Sequence, residues 1–161
     1  MRGVATFQNS KAVDYNVWIA GAAGPADDVI SSYSGNRTAN IPEVMVNITP
    51  QYTSDKFYAD LTWTYMGNRE ANFANAFQMP GFSQFNFGAG YNITSKLKLS
   101  LNINNLFDTY GVMGWTAPGT FPTSLDLDSF TKEKLTANPN AVYSTVAIPA
   151  RSYFLTLSYK F

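Results

Sequence analysis

The chain has 161 residues and zero formal net charge, and it is rich in aromatic residues (16%) and poor in charged ones (14%), whereas a typical soluble domain carries about 25% charged residues. It contains no Cys and no His, which excludes disulfides, thiolate nucleophiles, Cys/His metal sites and imidazole acid–base chemistry. The neutral balance argues against a nucleic-acid-binding protein, which needs a basic surface, and no apolar run approaches the roughly 20 residues of a membrane-spanning helix.

Alternation of apolar and polar residues predicts strands along much of the chain, because the side chains of a strand point to its two faces in turn. A first strand is expected over residues 3–11, where the alternation is weak and no secretory signal is recognisable. Five further segments alternate strongly, and they lie at residues 44–52, 57–67, 83–93, 97–104 and 152–161. We therefore expect an all-β, antiparallel protein of about six strands.

The connections between these strands alternate in length. Two have the composition of tight hairpin turns, at residues 53–56 and 94–96. Three are long links, at residues 12–43, 70–81 and 108–150. Because loops this long are uncommon in compact domains and usually serve a function, we expect any binding residues to lie in the long links.

A short helix is expected within the last link, over residues 129–136, with Asp128 as its N-cap and an end at Asn138 and Pro139. Asp126 and Asp128 carry oxygen ligands that suit Ca²⁺, but the glycine and terminal Glu of an EF-hand loop are missing. A solvated acidic loop is the favoured interpretation, so no metal site is predicted.

The two faces of the predicted strands differ in chemistry. One face carries no charged residue and is almost entirely apolar. The other carries mainly Asn, Thr, Ser, Gln and Gly, together with the three charged strand residues Asp60, Lys98 and Lys160. A soluble β-sandwich or barrel with one buried face is one interpretation, but the outer face of such a protein normally carries many Lys and Glu residues.

The placement of the large aromatic residues favours a membrane protein. On the apolar face they cluster near the strand ends, with Tyr52, Phe57, Tyr91, Tyr159 and Phe161 at one level and Trp63, Tyr65 and Tyr153 toward the other. Such levels match interfacial girdles, in which the ring lies in an apolar layer and its polar group reaches water. Together with the alternating link lengths, this pattern predicts a transmembrane β-barrel segment with short periplasmic turns and long extracellular loops.

Several short motifs then resemble one family. The strand that starts at Leu97 ends in Asn104, Asn105, Leu106, Phe107 and Asp108, where the alternation breaks and a bulge or strand exit is expected. This run is similar to the "NNLFD" signature of TonB-dependent outer-membrane receptors. Further similar motifs occur in the family's order: Asn40-Ile41-Pro42, Met79-Pro80-Gly81-Phe82, Pro149-Ala150-Arg151-Ser152-Tyr153 and Tyr159-Lys160-Phe161. The resemblance covers residues 40–161, and Ala150 stands where the family usually has Gly.

The resemblance implies a barrel of about 22 strands around a plug, in which TonB energises uptake of a siderophore, cobalamin or oligosaccharide. It implies contact with outer-membrane lipid and lipopolysaccharide, with the remainder of the receptor (plug and other strands) and indirectly with the TonB complex, in the cell outer membrane of a Gram-negative bacterium. Tyr159 and Phe161 resemble the C-terminal signal read by the barrel-assembly machinery. An interfacial anchor explains these two residues equally well.

The same resemblance leaves much of a receptor unaccounted for, because no plug is recognisable and single-chain outer-membrane barrels begin at about eight strands. We therefore expect residues 1–161 to form the C-terminal part of a longer receptor barrel and not to transport alone. The alternative is a small porin or adhesin, independent of TonB, that closes by forming oligomers.

Ligand-binding residues are expected among the loop side chains. Five loop aromatics suit stacking on a sugar or catecholate ring, namely Tyr33, Trp115, Phe121, Phe130 and Tyr143; packing among the loops is the alternative. Arg37, Arg69 and Arg151 lie near the outer rim and suit an anionic ligand, although charge balance or lipopolysaccharide contact explains them equally well. No catalytic residue and no cofactor is predicted, and without His an outer-membrane hydrolase is disfavoured.

Overall fold

The structure, a computed structural model, describes residues 1–19, 23–116 and 130–161. The chain forms mainly strands, with a short 3-10 helix at Pro25–Asp27 and one α-helix, α1, at Lys132–Ala137. In chain order the strands are β1 (Arg2–Phe7), β2 (Asn16–Ile19), β3 (Val29–Ser32), β4 (Val44–Thr49), β5 (Gln51–Thr53), β6 (Phe57–Met66), β7 (Arg69–Glu70), β8 (Gln78–Met79), β9 (Phe82–Asn92), β10 (Leu97–Asn104), β11 (Val112–Thr116), β12 (Ser144–Ala147) and β13 (Ser152–Tyr159).

One antiparallel sheet contains all the predicted strands, in the order β1-β4-β6-β9-β10-β13, with β5 also paired to β6. Each neighbour in the sheet is the next long strand along the chain, so the sheet is an up-and-down meander. The two tight turns lie at one end and the three long links at the other, as the alternating link lengths predicted. Among the described strands, β1 and β13 each pair on one side only.

The register aligns the two chemical faces across the whole sheet. On one face Leu99 lies opposite both Tyr91 and Leu157, and Trp63 lies opposite Phe85. On the other face polar partners face one another: Asn47 Nδ2 donates to Thr64 Oγ1 at 3.0 Å, and the hydroxyls of Thr49 and Thr62 are 3.0 Å apart. The predicted separation into an apolar and a polar face is confirmed.

Much of the apolar face is uncovered. The long strands contact mainly their neighbours in the sheet, and on β13 Leu155 and Leu157 are 72% and 64% exposed. A row of exposed leucines costs free energy in water, at about 25 cal/mol per Å² of apolar surface, and so requires an apolar environment. No α-helix among the described residues is long and apolar enough to cross a membrane.

The strand expected over residues 44–52 is divided at Pro50 into β4 and β5. Proline has no backbone N–H and is tolerated where a ladder bond is not needed. β1 ends its pairing with β4 at Arg2–Thr49, so Pro50 lies just beyond it, and its carbonyl still accepts from Leu61 N at 3.2 Å. The register to β6 therefore continues through the break.

The long links contain structure that the sequence pattern did not predict. Each link folds into its own short antiparallel pair, β2 with β3, β7 with β8 and β11 with β12. The predicted helix over residues 129–136 was placed too early: α1 begins at Lys132, and its N-cap is Thr131, whose hydroxyl accepts from Lys134 N. Asp128 lies outside the described residues. The helix ends at Asn138, as expected.

Two glycines of β9 leave room for large side chains on the polar face. Gly88 lies opposite Asp60 and Gly90 opposite Tyr58. A Cβ on Gly88 would lie 2.7 Å from Asp60 Oδ1, and a Cβ on Gly90 would overlap the Tyr58 ring. The Tyr58 ring therefore lies over Gly90, where the Lys98 ammonium is 4.7 Å from its centroid. A Lys in this position is held by a cation–π interaction.

We expect Gly90→Ala to displace the Tyr58 ring and to lower the free energy of unfolding by about 1–3 kcal/mol, as overpacking does. Urea unfolding of the complete protein in detergent measures the effect. Gly3→Ala is the matched control, because its Cβ meets only Ile48 Cγ1 at 3.8 Å. Adding Tyr58→Ala should remove the penalty of Gly90→Ala, and a penalty that persists in the double variant would contradict this explanation.

Candidate ligand-binding loops

The middle link, which connects β6 to β9, lies between the other two links and holds them together. Its first residues form β7, where Glu70 O accepts from Asn40 N of the first link at 2.9 Å. Four consecutive residues are nearly inaccessible, namely Arg69, Glu70, Ala71 and Asn72, and so are Ala76 and Met79 further along the link. Burial of this kind is unusual for a loop, since loops normally run over the surface.

The first link attaches to the middle link through main-chain and amide hydrogen bonds. Arg37 and Asn75 bond reciprocally, from Arg37 N to Asn75 Oδ1 and from Asn75 Nδ2 to Arg37 O, both at 2.9 Å. Asn36 Nδ2 donates to Phe73 O at 2.7 Å, and the rings of Tyr15 and Phe73 stack with centroids 4.2 Å apart. Hydrogen bonds to buried groups are costly to break, so these contacts fix the first link.

The third link attaches on the other side. Trp115 Nε1 donates to Ala71 O at 2.8 Å, and Asn72 Nδ2 donates to Phe130 O at 2.7 Å. Asn72 Oδ1 accepts from Ala76 N within the middle link. Asn72 therefore shapes its own loop and holds the third link at the same time.

An aromatic cluster fills the space between the middle and third links. Trp115 is 5% exposed, and its ring contacts those of Phe77, Phe130 and Tyr143, with centroids 4.8, 5.5 and 6.1 Å away. Three of the predicted ligand-stacking aromatics thus pack against one another. The sequence analysis did not single out Phe77. The one sequence signal for it was that it lies in a link long enough to be expected to serve a function.

The other two aromatic candidates are Tyr33 and Phe121. Tyr33 is buried in the first link, where its N–H donates to Tyr15 O at 2.9 Å. Phe121 lies outside the described residues, as does Asp126. The structure therefore brings together Trp115, Phe130 and Tyr143 and leaves Tyr33 apart from them.

Two of the three arginine candidates, Arg37 and Arg69, have opposite environments. Arg37 is paired, with Nη2 2.9 Å from Glu43 Oε1 and Nη1 4.0 Å from Glu70 Oε1. Arg69 is 2% exposed and has no carboxylate partner among the described residues. Its Nη2 donates to Val112 O, whereas its Nη1 is buried without a hydrogen-bond partner. Burial lowers the pKa of Arg69, although an arginine remains charged at neutral pH.

The run from Asn104 to Asp108 forms the exit from β10. Asn105 has a φ of 50° and is 1% exposed. Its side chain replaces main-chain partners: Nδ2 donates to Thr109 O and Pro149 O at 2.9 and 3.0 Å, and Oδ1 accepts from Thr109 N at 2.9 Å. Asn tolerates the left-handed region better than other non-glycine residues. The expected strand exit is confirmed.

The neighbours of Asn105 connect three strands. Leu106 N donates to Phe85 O of β9 at 2.7 Å, and the Phe107 ring contacts that of Phe85 at 5.2 Å. Asp108 Oδ1 accepts from Arg151 N at 2.9 Å, just before β13 begins. Asn104, at the end of β10, makes only a 3.4 Å bond to Ser152 Oγ. This motif therefore sets where β9, β10 and β13 meet the third link.

Tyr159 and Phe161 lie at the opposite end of the sheet, beside the tight turns. Their rings contact each other edge to face, with centroids 5.2 Å apart, and both are exposed. Lys160 N between them donates to Lys96 O at 2.8 Å, which continues the pairing of β13 to the end of the chain. They are far along the sheet from the loops that hold the aromatic cluster.

We expect Asn105→Ala to lower the free energy of unfolding by about 2–4 kcal/mol. The substitution removes three side-chain hydrogen bonds, and alanine adopts the positive φ of this position less readily than asparagine does. Asn104→Ala is the matched control and should cost less than about 1 kcal/mol. Asn105→Gly separates the causes, since it relieves φ but not the lost bonds. Equal urea midpoints for the Asn104 and Asn105 variants would contradict this role.

Comparisons with known proteins agree with this architecture. Residues 5–106, more than half of the chain, match the family model described as TonB dependent receptor-like, beta-barrel. A search of curated proteins finds no match.

Solved structures of similar fold include three receptors. The siderophore receptor PiuA from Acinetobacter baumannii has a TM-score of 0.63 and 17% identity over 89% of this chain and 17% of its own. The ferric yersiniabactin uptake receptor FyuA from Yersinia pestis has a TM-score of 0.59 and 14% identity, over 83% of this chain and 20% of its own. The ferripyoverdine receptor of the outer membrane of Pseudomonas aeruginosa has a TM-score of 0.54 and 18% identity, over 83% of this chain and 16% of its own.

The chain thus spans about a fifth or less of the length of these receptors. Their identities are low, so they show the fold, while the family model covers most of the main sheet. An antiparallel sheet with one apolar face, tight turns at one end and long, packed loops at the other is the architecture of a barrel wall. The chain belongs to the TonB-dependent receptor β-barrel family, whose members are outer-membrane proteins of Gram-negative bacteria.

Proposed function

We propose that this chain forms barrel wall and extracellular loops of a longer outer-membrane receptor that takes up a siderophore, cobalamin or oligosaccharide with energy from TonB. The observation that carries the proposal is the contrast between the two ends of the sheet. Tight turns close one end, whereas three links pack into one body at the other, where a receptor captures its substrate. The family membership supplies the transport class, and it favours a transporter over an enzyme.

The two edges of the sheet support a longer barrel. β1 and β13 each leave one row of main-chain N–H and C=O groups unpaired among the described strands. In lipid each unpaired group costs several kcal/mol, so a barrel must continue from both edges. We propose that the additional strands and the plug belong to the same receptor.

Ferric siderophores are the first substrate class to test, because the similar structures are named as a siderophore receptor, a ferric yersiniabactin uptake receptor and a ferripyoverdine receptor. The partly exposed loop side chains of Phe130, Tyr143 and Arg37 also suit such ligands, since catecholate rings stack on aromatics and anionic groups pair with guanidinium. Cobalamin and oligosaccharides are the other two substrate classes to be tested. The turn-end aromatics Tyr159 and Phe161 are proposed as interfacial anchors and as the segment read by the barrel-assembly machinery.

The test uses a strain that lacks its own ferric-siderophore receptors. We expect the complete gene product that carries these residues to restore uptake of radiolabelled iron from at least one siderophore, and deletion of tonB to abolish that uptake. Residues 1–161 alone, directed to the outer membrane, should restore none, because six long strands leave two open edges.

Uptake by the complete protein that survives loss of TonB would contradict the transport mechanism. A monomeric, heat-modifiable pore formed by residues 1–161 alone in liposomes would contradict the proposal of a longer barrel. An oligomeric pore from the same residues would favour the porin or adhesin alternative, in which β1 of one copy pairs with β13 of the next.

A further inference from the structure

The guanidinium of Arg69 is a buried charge without a counter-charge in the part of the chain that the structure describes. Arg69 is 98% buried, and no acidic side chain of the described residues pairs with it. The adjacent Glu70 does not serve, because its Oε1 accepts from Gln78 Nε2 at 2.8 Å and lies 4.0 Å from Arg37. Uncompensated buried charge costs several kcal/mol, and buried polar groups nearly always have partners. Among the described residues, Nη1 is therefore a buried donor that an acceptor on a ligand would satisfy.

Arg69 lines a cavity of about 250 Å³. Arg69 is the only charged residue among those described around it, and the remaining wall is mainly apolar, with Met66, Met113 and Trp115 supplying the largest side chains. Ligand sites commonly combine an apolar wall with a few polar groups that fix orientation. The volume suits a small molecule or one end of a larger one.

We propose that this cavity binds a carboxylate carried on a small apolar or aromatic body. Arginine offers a planar fork of donors that matches a carboxylate, and one of its nitrogens is already held by Val112 O, which leaves the unpaired Nη1 for the anion. A single cation in an apolar wall favours one negative charge over a strongly hydrated dianion such as phosphate.

Access to Nη1 requires a small local movement, since this atom is closed to water. Met66 and Met113 are suited to that movement, because methionine is unbranched and adapts its shape readily. The site lies where β7 of the middle link meets β11 of the third link, so a bound carboxylate also strengthens the contact between the two links. This inference extends beyond the proposed transport function, since binding in detergent needs neither TonB nor uptake.

Isothermal titration of the complete protein in detergent with benzoate tests the site, with benzamide as the neutral analogue of the same shape. We expect benzoate to bind at least tenfold more tightly than benzamide, and inorganic phosphate to bind more weakly than benzoate. Arg69→Met should weaken benzoate binding by at least tenfold. Arg2→Met is the matched control, because Arg2 is exposed on β1 far along the chain, and it should leave binding unchanged.

A second variant keeps the test decisive if Arg69→Met fails to fold. Gly114 lines the cavity, and a Cβ there meets only Val146, at 3.9 Å, so Gly114→Leu should fill the space and block benzoate while Arg69 stays in place. Equal binding of benzoate and benzamide, unchanged binding in Gly114→Leu, or no benzoate binding by the folded protein would each overturn the proposal. Any of these results leaves the uptake experiment unaffected.

Discussion

One face of the main sheet must suit lipid and the other must suit water, and the rest of the structure depends on that constraint. Its register places leucines, phenylalanines and tryptophan on one face and amides and hydroxyls on the other, strand after strand. Much of the apolar face lies exposed, as Leu155 and Leu157 do, so lipid is the surrounding that removes it from water. Lipid in turn forbids unpaired main-chain groups, which is why the chain crosses as paired strands and why its irregular segments are confined to the two ends.

The loop end is organised largely by contacts of its own. In the buried core of the middle link, Ala71 O accepts a hydrogen bond from Trp115 and Asn72 donates one to Phe130 O of the third link. Three other rings surround Trp115. Three links held as one body present a defined surface for a substrate. Two buried polar atoms of this body have no hydrogen-bond partner among the described residues, Arg69 Nη1 and Tyr143 Oη. Arg69 carries the charge of the two, and buried charges in unusual surroundings often mark function.

Period-two alternation predicted the main sheet well, because in each long strand every second side chain lies on the same apolar face. It missed β7 and β8, because a strand of two residues is too short to show an alternation. It also missed β2, β3, β11 and β12, whose pairing is set within the loops. Trp115 is held in its buried position by the carbonyl of Ala71, 44 positions earlier in the chain, and Arg69 is bonded to the carbonyl of Val112. Alternation along a strand carries no information about contacts between residues so far apart in sequence. The helix start was misplaced because Asp128 and Thr131 are both good N-caps and sequence alone does not choose between them.

Spin labels placed one at a time on residues 97–102 of β10 test the central claim, that the two faces of the sheet meet lipid and water. In the complete protein in bilayers, we predict that labels at Leu97, Leu99 and Leu101 collide mainly with oxygen, and that labels at Lys98, Ser100 and Asn102 are less accessible to oxygen. The accessibility should alternate with a period of two. Equal oxygen accessibility at all six positions, or alternation of the opposite phase, would contradict the account.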